Sequence, residues 1–269
     1  MVRDSRLFLS LFGIFARHGH LRDLEPAEFE ADPYRALVHA AAGAGWNLVG
    51  DDDGDCDDGD GQPTAPWTMG EASPRWSEST RGTNVAWFQL QHGLCPTPTP
   101  TPLPIPQLLT AALAPARRLG ALTLTGVQTL VPVHLAGDAG DCVYAVGRAF
   151  AMPSCGPRAS VRVTIDSGDA DDVVRGACVV GTYLRFLLGP LVASLRALGR
   201  GFDAQGPTPV LAYFPAGGHR ITFEADVAEW SDAAVTLLVA AAAEACREAG
   251  VRRSVLIDVV AIPRRGVRP

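Results

Sequence analysis

Residues 159–166 read ASVRVTID, a run in which apolar and polar side chains alternate. The apolar side chains from Val161 to Ile165 would face one side of a β-strand, whereas Arg162 and Thr164 would face the other. The alternation therefore predicts a half-buried strand, and the elements on either side of it decide the fold.

The residues after this strand predict a β-α-β-β-α-β order. Ser167 or Asp169 can cap a helix that has an acidic first turn and continues to about Leu198. The remaining predicted elements are strands at 208–214 and 219–228, a capped helix from Ser231 to Gly250 and a strand from Arg253 to Ile262. Residues 159–262 thus have the element order of a ferredoxin-like, or split βαβ, unit.

The first half of the chain gives the same order if an acidic stretch is treated as an insertion. Its predicted elements are strands at 5–16, 46–49, 83–91 and 121–134 and helices at 26–44 and 107–118. We therefore expect an α+β protein of two ferredoxin-like halves, a tandem repeat in element order, with antiparallel sheets and helices on one face. A further strand predicted at 142–150 fits this scheme least well, and it could instead join the halves into one sheet.

The predicted domain boundary lies at residue 150. Residues 1–150 form the first half, which contains an acidic loop insertion at 50–82 and a Pro-rich strap at 96–106, where alternating prolines favour polyproline II. Residues 151–269 form the second half and end in a basic, arginine-rich tail.

Composition limits the class of protein. The 269 residues are 47% hydrophobic and 19% charged, which is typical of a folded globular chain. A net charge of −6 argues against a nucleic-acid partner, because nucleic-acid affinity comes mainly from neutralising phosphates. The apolar stretch at 176–195 contains Arg185 and is interrupted by Gly189-Pro190, so we expect no membrane span. Six scattered cysteines without a CxxC pair favour a reducing, cytoplasmic location.

The first candidate site follows the strand predicted at 121–134. The segment His134-Leu-Ala-Gly-Asp138 has H-x-x-x-D spacing, and in this it resembles the motif of certain CoA-dependent acyltransferases. The resemblance implies a general-base histidine at His134, in a loop supported by Asp138, acting on a hydroxyl or an amine. The sequence departs from those families at Ala139, where they have glycine. A simple junction between strand and turn is the alternative interpretation.

The second candidate site follows the first strand. His18 and His20 lie there among other ionisable residues, and histidine titrates near neutral pH. An exposed polar loop is the alternative interpretation. A third metal ligand is missing nearby in sequence, although His92 or His219 could approach in space. The aspartate run at 51–60 fails the EF-hand spacing in every register, so we predict neither a metal site nor a cofactor.

The common catalytic signatures are absent from the sequence: it has no P-loop, no G-x-S-x-G and no G-x-G-x-x-G after a strand. We therefore predict a non-catalytic binding or regulatory protein that recognises a protein or small-molecule partner through the cleft or sheet surface of the paired units. Whether it forms a homo-oligomer is left open. The alternative is a small-molecule enzyme, acyltransferase-like or using other general-base chemistry, whose site between the halves would contain His134, Asp138, His18 and His20.

Overall fold

The structure is a computed structural model that describes residues 5–21, 32–46, 48–50, 67–92, 103–137, 159–189, 192–199, 214 and 218–263. The strands in these residues are β1 (Arg6–Arg17), β2 (Val49–Gly50), β3 (Trp67–Ala72), β4 (Ser79–His92), β5 (Gly120–Pro132), β6 (Ala159–Asp166), β7 (Val192–Gly199), β8 (Arg220–Val227) and β9 (Ser254–Ile262). The α-helices are α1 (Pro33–Gly43), α2 (Ile105–Leu119), α3 (Asp172–Arg175), α4 (Ala177–Leu188) and α5 (Asp232–Glu248). Two short 3-10 helices, Gly19–Leu21 and Val133–Leu135, follow β1 and β5.

The prediction of two ferredoxin-like halves, with antiparallel sheets of their own and helices on one face, is wrong. The nine described strands form a single sheet in the order β2-β3-β4-β1-β5-β9-β6-β8-β7. Neighbours with a defined register are antiparallel, apart from the two-residue β2, which pairs in parallel with β3. Periodicity in a sequence identifies strands but does not identify the edges along which they pair, which explains the error.

The helix predicted to continue to Leu198 is also corrected. α4 ends at Leu188, and the following residues from Val192 to Gly199 form β7. Gly189, the residue after the helix, still has helical backbone angles, φ −46° and ψ −40°. The sequence has proline at 190, and proline has no backbone N–H with which to continue the helical hydrogen bonds. Beyond that break, pairing with β8 overrides the helix propensity of the leucines, alanines and arginine in β7.

Two predicted segments of the first half differ in their bounds. α1 begins at Pro33, where the Asp32 carboxylate accepts a hydrogen bond from the Tyr34 backbone N at 3.0 Å, so the described helix is shorter than the predicted 26–44. Within the insertion predicted at 50–82, Trp67–Ala72 forms β3, which pairs with β4.

Several predicted features lie outside the described residues. These are the aspartate run at 51–60, most of the Pro-rich strap at 96–106, the strand at 142–150, the strand at 208–214 apart from Phe214, and the arginine tail after residue 263. The domain boundary at residue 150 lies there too and stays a prediction.

The described residues belong to two compact units. The first unit contains those of Ser5–Thr99 and Gln107–Thr125. Its β1 and β4 pair antiparallel, and the opposed Leu9 and Phe88 side chains are fully buried. Phe88 also contacts Trp76, with the ring centroids 5.9 Å apart. The core of this unit is therefore aliphatic and aromatic.

The second unit contains residues 103–106 and the described residues from Gly126 onward. Its helices α4 and α5 pack against each other and onto the sheet. A methyl group at Gly181 of α4 would lie 3.4 Å from the Phe223 ring of β8. Further along β8, Val227 lines an apolar cavity of about 20 Å³ with residues of both helices. Phe223 and Val227 thus mark the face of the sheet that the helices cover.

No helix in the described ranges is long and apolar enough to cross a membrane.

Candidate functional site

His134 lies in the 3-10 helix Val133–Leu135 that follows β5. Its side chain is half-buried, and its Nδ1 atom is shielded from solvent. Its predicted partner Asp138 lies outside the described residues. The general-base role of His134 therefore stays a prediction.

His18 and His20 lie together at the end of β1. Both side chains are exposed, and their rings are nearly parallel, at 6°, with centroids 5.9 Å apart. The backbone N of His18 donates to the Leu119 carbonyl at 2.9 Å, which ties the turn to the end of α2. Of the four predicted site residues, the structure brings together these two, which belong to the first unit, whereas His134 belongs to the second.

The two histidines supply only two imidazole ligands. Structural zinc sites in proteins use about four protein ligands, and catalytic zinc sites use about three together with a water molecule. His92 does not join them, because Gln91 pairs with Arg6 at the opposite end of β1 and the His92 ring contacts Trp67 instead. Within the described ranges, no three His, Cys, Asp or Glu side chains are grouped as metal ligands.

The two described cysteines differ in accessibility. Cys246 is fully buried in α5, and burial raises the pKa of its thiol to about 12. It stays protonated at neutral pH and is a poor nucleophile there. Cys178 is exposed near the start of α4.

A polar surface covers the other face of the sheet in the second unit, opposite α4 and α5. Successive side chains of a strand alternate between faces, so Thr222 and Glu224 point away from the side occupied by Phe223. Directly opposed residues of antiparallel strands share a face. The register of β6, β7 and β8 therefore identifies the other residues of this surface.

One row on this face is polar but closed to solvent. It runs across four strands through Gln128, Asp258, Thr164 and Thr222, which are between 0% and 7% exposed. The hydroxyls of Thr164 and Thr222 lie 3.2 Å apart, within hydrogen-bond distance. Buried polar groups of this kind help to specify the strand register, because a slip would separate them.

Two adjacent rows on the same face are accessible. We call their six residues the polar ladder: Ser160, Asp226 and Ser194 in one row, and Arg162, Glu224 and Arg196 in the other. In each row the acidic residue lies on the central strand, β8, and its neighbours on β6 and β7 are hydrogen-bond donors.

The acids of the polar ladder bind donors on both sides. Glu224 accepts from Arg162 through Oε1 at 3.2 Å and from Arg196 through Oε2 at 2.9 Å. Asp226 accepts from the Ser160 hydroxyl through Oδ1 at 2.8 Å and from the Ser194 hydroxyl through Oδ2 at 2.9 Å. These contacts hold long side chains in defined positions across three strands.

Charges in the polar ladder shift the pKa of one of its side chains, that of Glu224. Burial alone would raise the pKa of Glu224, but hydrogen bonds from Arg196 and Arg162 and their positive charges outweigh it. The pKa of Glu224 therefore lies below its usual value of 4.5. The carboxylate is ionised at neutral pH and holds both guanidinium groups.

We expect Glu224→Gln to lower the free energy of unfolding by about 1 kcal/mol at neutral pH, since it removes two partly exposed ion pairs. A carboxylate with a lowered folded pKa contributes stability above its unfolded pKa, near 4.5, and loses it as the pH falls through the folded pKa. The difference in the free energy of unfolding between wild type and Glu224→Gln should therefore shrink as the pH falls through the folded pKa. Urea unfolding between about pH 3 and about pH 8 measures this difference.

Glu229→Gln is the control, because it makes the same change at an exposed glutamate next to β8. We expect little change in stability at any pH for this variant. An effect of Glu224→Gln that does not depend on pH would contradict the role given to the ion pairs.

Sequence reasoning missed most of the polar ladder. Arg162 was predicted to point away from the apolar face of its strand, and it does. Arg196 was missed because its segment was assigned to a helix. Glu224 and Asp226 alternate with apolar residues in the strand predicted at 219–228, and this alternation was the signal that could have identified them.

The polar ladder and the histidine pair are thus defined by geometry, the first by cross-strand hydrogen bonds and the second by ring stacking. Comparisons of the chain with protein-family models, with curated proteins and with solved structures found no match.

Proposed function

We propose that the chain is a non-catalytic binding protein and that a partner protein docks on the polar ladder. The observation that carries this proposal is the pair of two-sided contacts at Glu224 and Asp226, which fix an accessible polar surface on the sheet face opposite the helices.

Fixed side chains favour binding, because association otherwise costs the entropy of ordering them. Arginine is among the side chains with the largest such cost, and both arginines of the polar ladder are already held by Glu224. A partner that contacts these groups therefore meets a surface that is largely preorganised.

The shape of this surface favours a protein partner over a small molecule. Small-molecule sites are concave and mostly apolar, whereas the polar ladder lies across one face of a sheet. The apolar cavity beside Val227 has a volume of about 20 Å³, enough for about one water molecule. Protein interfaces, in contrast, are commonly polar at their rim and use arginine in their centre.

Ser194→Trp tests the docking surface without changing its charge. Ser194 is exposed on β7, so an indole there should block a partner from the polar ladder. We expect the variant to capture at least about tenfold less of the partner than wild type does from an extract of the source cells. Hydrogen exchange of the purified complex should show protection along β6, β7 and β8.

Thr182→Trp is the matched control, because Thr182 is also exposed but lies on α4. It should capture as much partner as wild type. Equal capture by Ser194→Trp and wild type, or protection confined to other elements, would disprove docking on the polar ladder.

A further inference from the structure

We infer that the segment that docks on the polar ladder is acidic and that Arg196 binds its carboxylates. This inference rests on the proposed function, and it names the chemistry of the partner that the same surface would take.

Exposure within the polar ladder is uneven. The Arg196 side chain is 72% exposed, whereas Glu224 is 26% and Arg162 is 31% exposed. An approaching partner therefore meets the Arg196 guanidinium before it meets the glutamate below it.

The Arg196 guanidinium has more N–H donors than its contact with Glu224 uses. A guanidinium carries five N–H groups in a planar fork, and among the described residues the polar contact of Arg196 is with Glu224 Oε2, at 2.9 Å. A carboxylate of the partner can bind the remaining N–H groups in a bidentate geometry. The exposed part of this row thus offers donors rather than acceptors.

The acids of the polar ladder are less available to a partner. Both Glu224 oxygens accept from arginines, and both Asp226 oxygens accept from serine hydroxyls. The polar ladder as a whole has no net charge, because Glu224 and Asp226 balance Arg162 and Arg196, but its most exposed charged group is the Arg196 guanidinium. A basic segment would be repelled by this group, whereas an acidic segment would be attracted to it.

The test uses two short synthetic peptides of equal length, one rich in aspartate and glutamate and the other with arginine at the same positions. Each is titrated into isotopically labelled full-length protein, and the amide shifts of β6, β7 and β8 are followed at low and at high salt. We expect the acidic peptide to shift these amides and the basic peptide not to. Affinity for the acidic peptide should fall as salt rises.

Three variants separate charge from geometry. Arg196→Glu should weaken binding of the acidic peptide by at least about tenfold, and Arg196→Lys should weaken it less, because it keeps the charge but loses the fork. The control is Arg175→Glu, a charge reversal at an arginine of α3 that is 69% exposed and also ion-paired. It should leave the affinity within about twofold of wild type.

The inference is overturned if the acidic peptide leaves the amides of the polar ladder unshifted, if Arg196→Glu binds it as well as wild type does, or if the basic peptide binds there instead.

Capture of the natural partner distinguishes the proposed docking surface from the proposed acidic chemistry of the partner. Loss of capture with Ser194→Trp but not with Arg196→Glu would keep the docking surface and disprove the acidic partner. Full capture by both variants would disprove both.

Discussion

Replacing Gly120 by alanine is expected to destabilise the first unit by about 3 kcal/mol. A Cβ atom at this position would overlap the carbonyl oxygen of Ala16 and would lie 2.8 Å from Cε2 of Phe15. Both obstacles are held in place, because Ala16 belongs to β1 and the Phe15 side chain is 1% exposed. The strands must separate to admit the methyl group, and separation weakens their pairing.

Urea unfolding of wild type and Gly120→Ala measures this loss as a lower midpoint at an unchanged slope. Gly43→Ala is the control, since no atom would lie within 4 Å of its Cβ and the residue ends α1. Alanine is the better helix former, so this variant should be as stable as wild type or slightly more stable. Equal midpoints for Gly120→Ala and wild type would show that the strands are not closely packed there.

Local patterns in the sequence predicted the bounds of several strands closely. Alternation in residues 159–166 gave the bounds of β6, and the apolar run at 5–16 gave nearly those of β1. Such local patterns arise from the period of the strand itself. Which strands pair depends on edges far apart in sequence, so the single sheet was beyond the reach of periodicity.

β7 shows how tertiary pairing overrides local preference. Its leucines, alanines and arginine favour a helix, and the chain before it is helical. In the structure these residues pair with β8 instead, and Arg196 thereby reaches Glu224. Because this strand was not predicted, two of the four donors of the polar ladder, Ser194 and Arg196, were not identified from the sequence.

The structure describes only some of the predicted catalytic residues. The structure places His18 beside His20, but it describes His134 without Asp138. Proximity of His18 and His20 in sequence made their contact foreseeable. The enzyme hypothesis needs contacts across long sequence distances and stays a prediction.

Phe223→Ala is expected to lower the free energy of unfolding by about 3–5 kcal/mol, which is the usual cost of removing a buried aromatic ring. Phe223 is 2% exposed, and it fills the space between β8 and Gly181 of α4. The cavity left behind cannot close unless α4 moves toward the sheet. Its neighbour Glu224 is the centre of one row of the polar ladder, so the loss should reach the proposed docking surface as well.

Phe186→Ala is the matched control, because it removes the same ring from a site on α4 that is 63% exposed. We expect a loss of less than about 1 kcal/mol for it. Urea unfolding gives both values, and amide spectra of β8 at low urea show whether the polar ladder keeps its register. If the two variants lose equal stability, Phe223 does not anchor α4 to the sheet. The fixed positions of the polar ladder side chains, on which the docking proposal depends, must then come from the cross-strand hydrogen bonds alone.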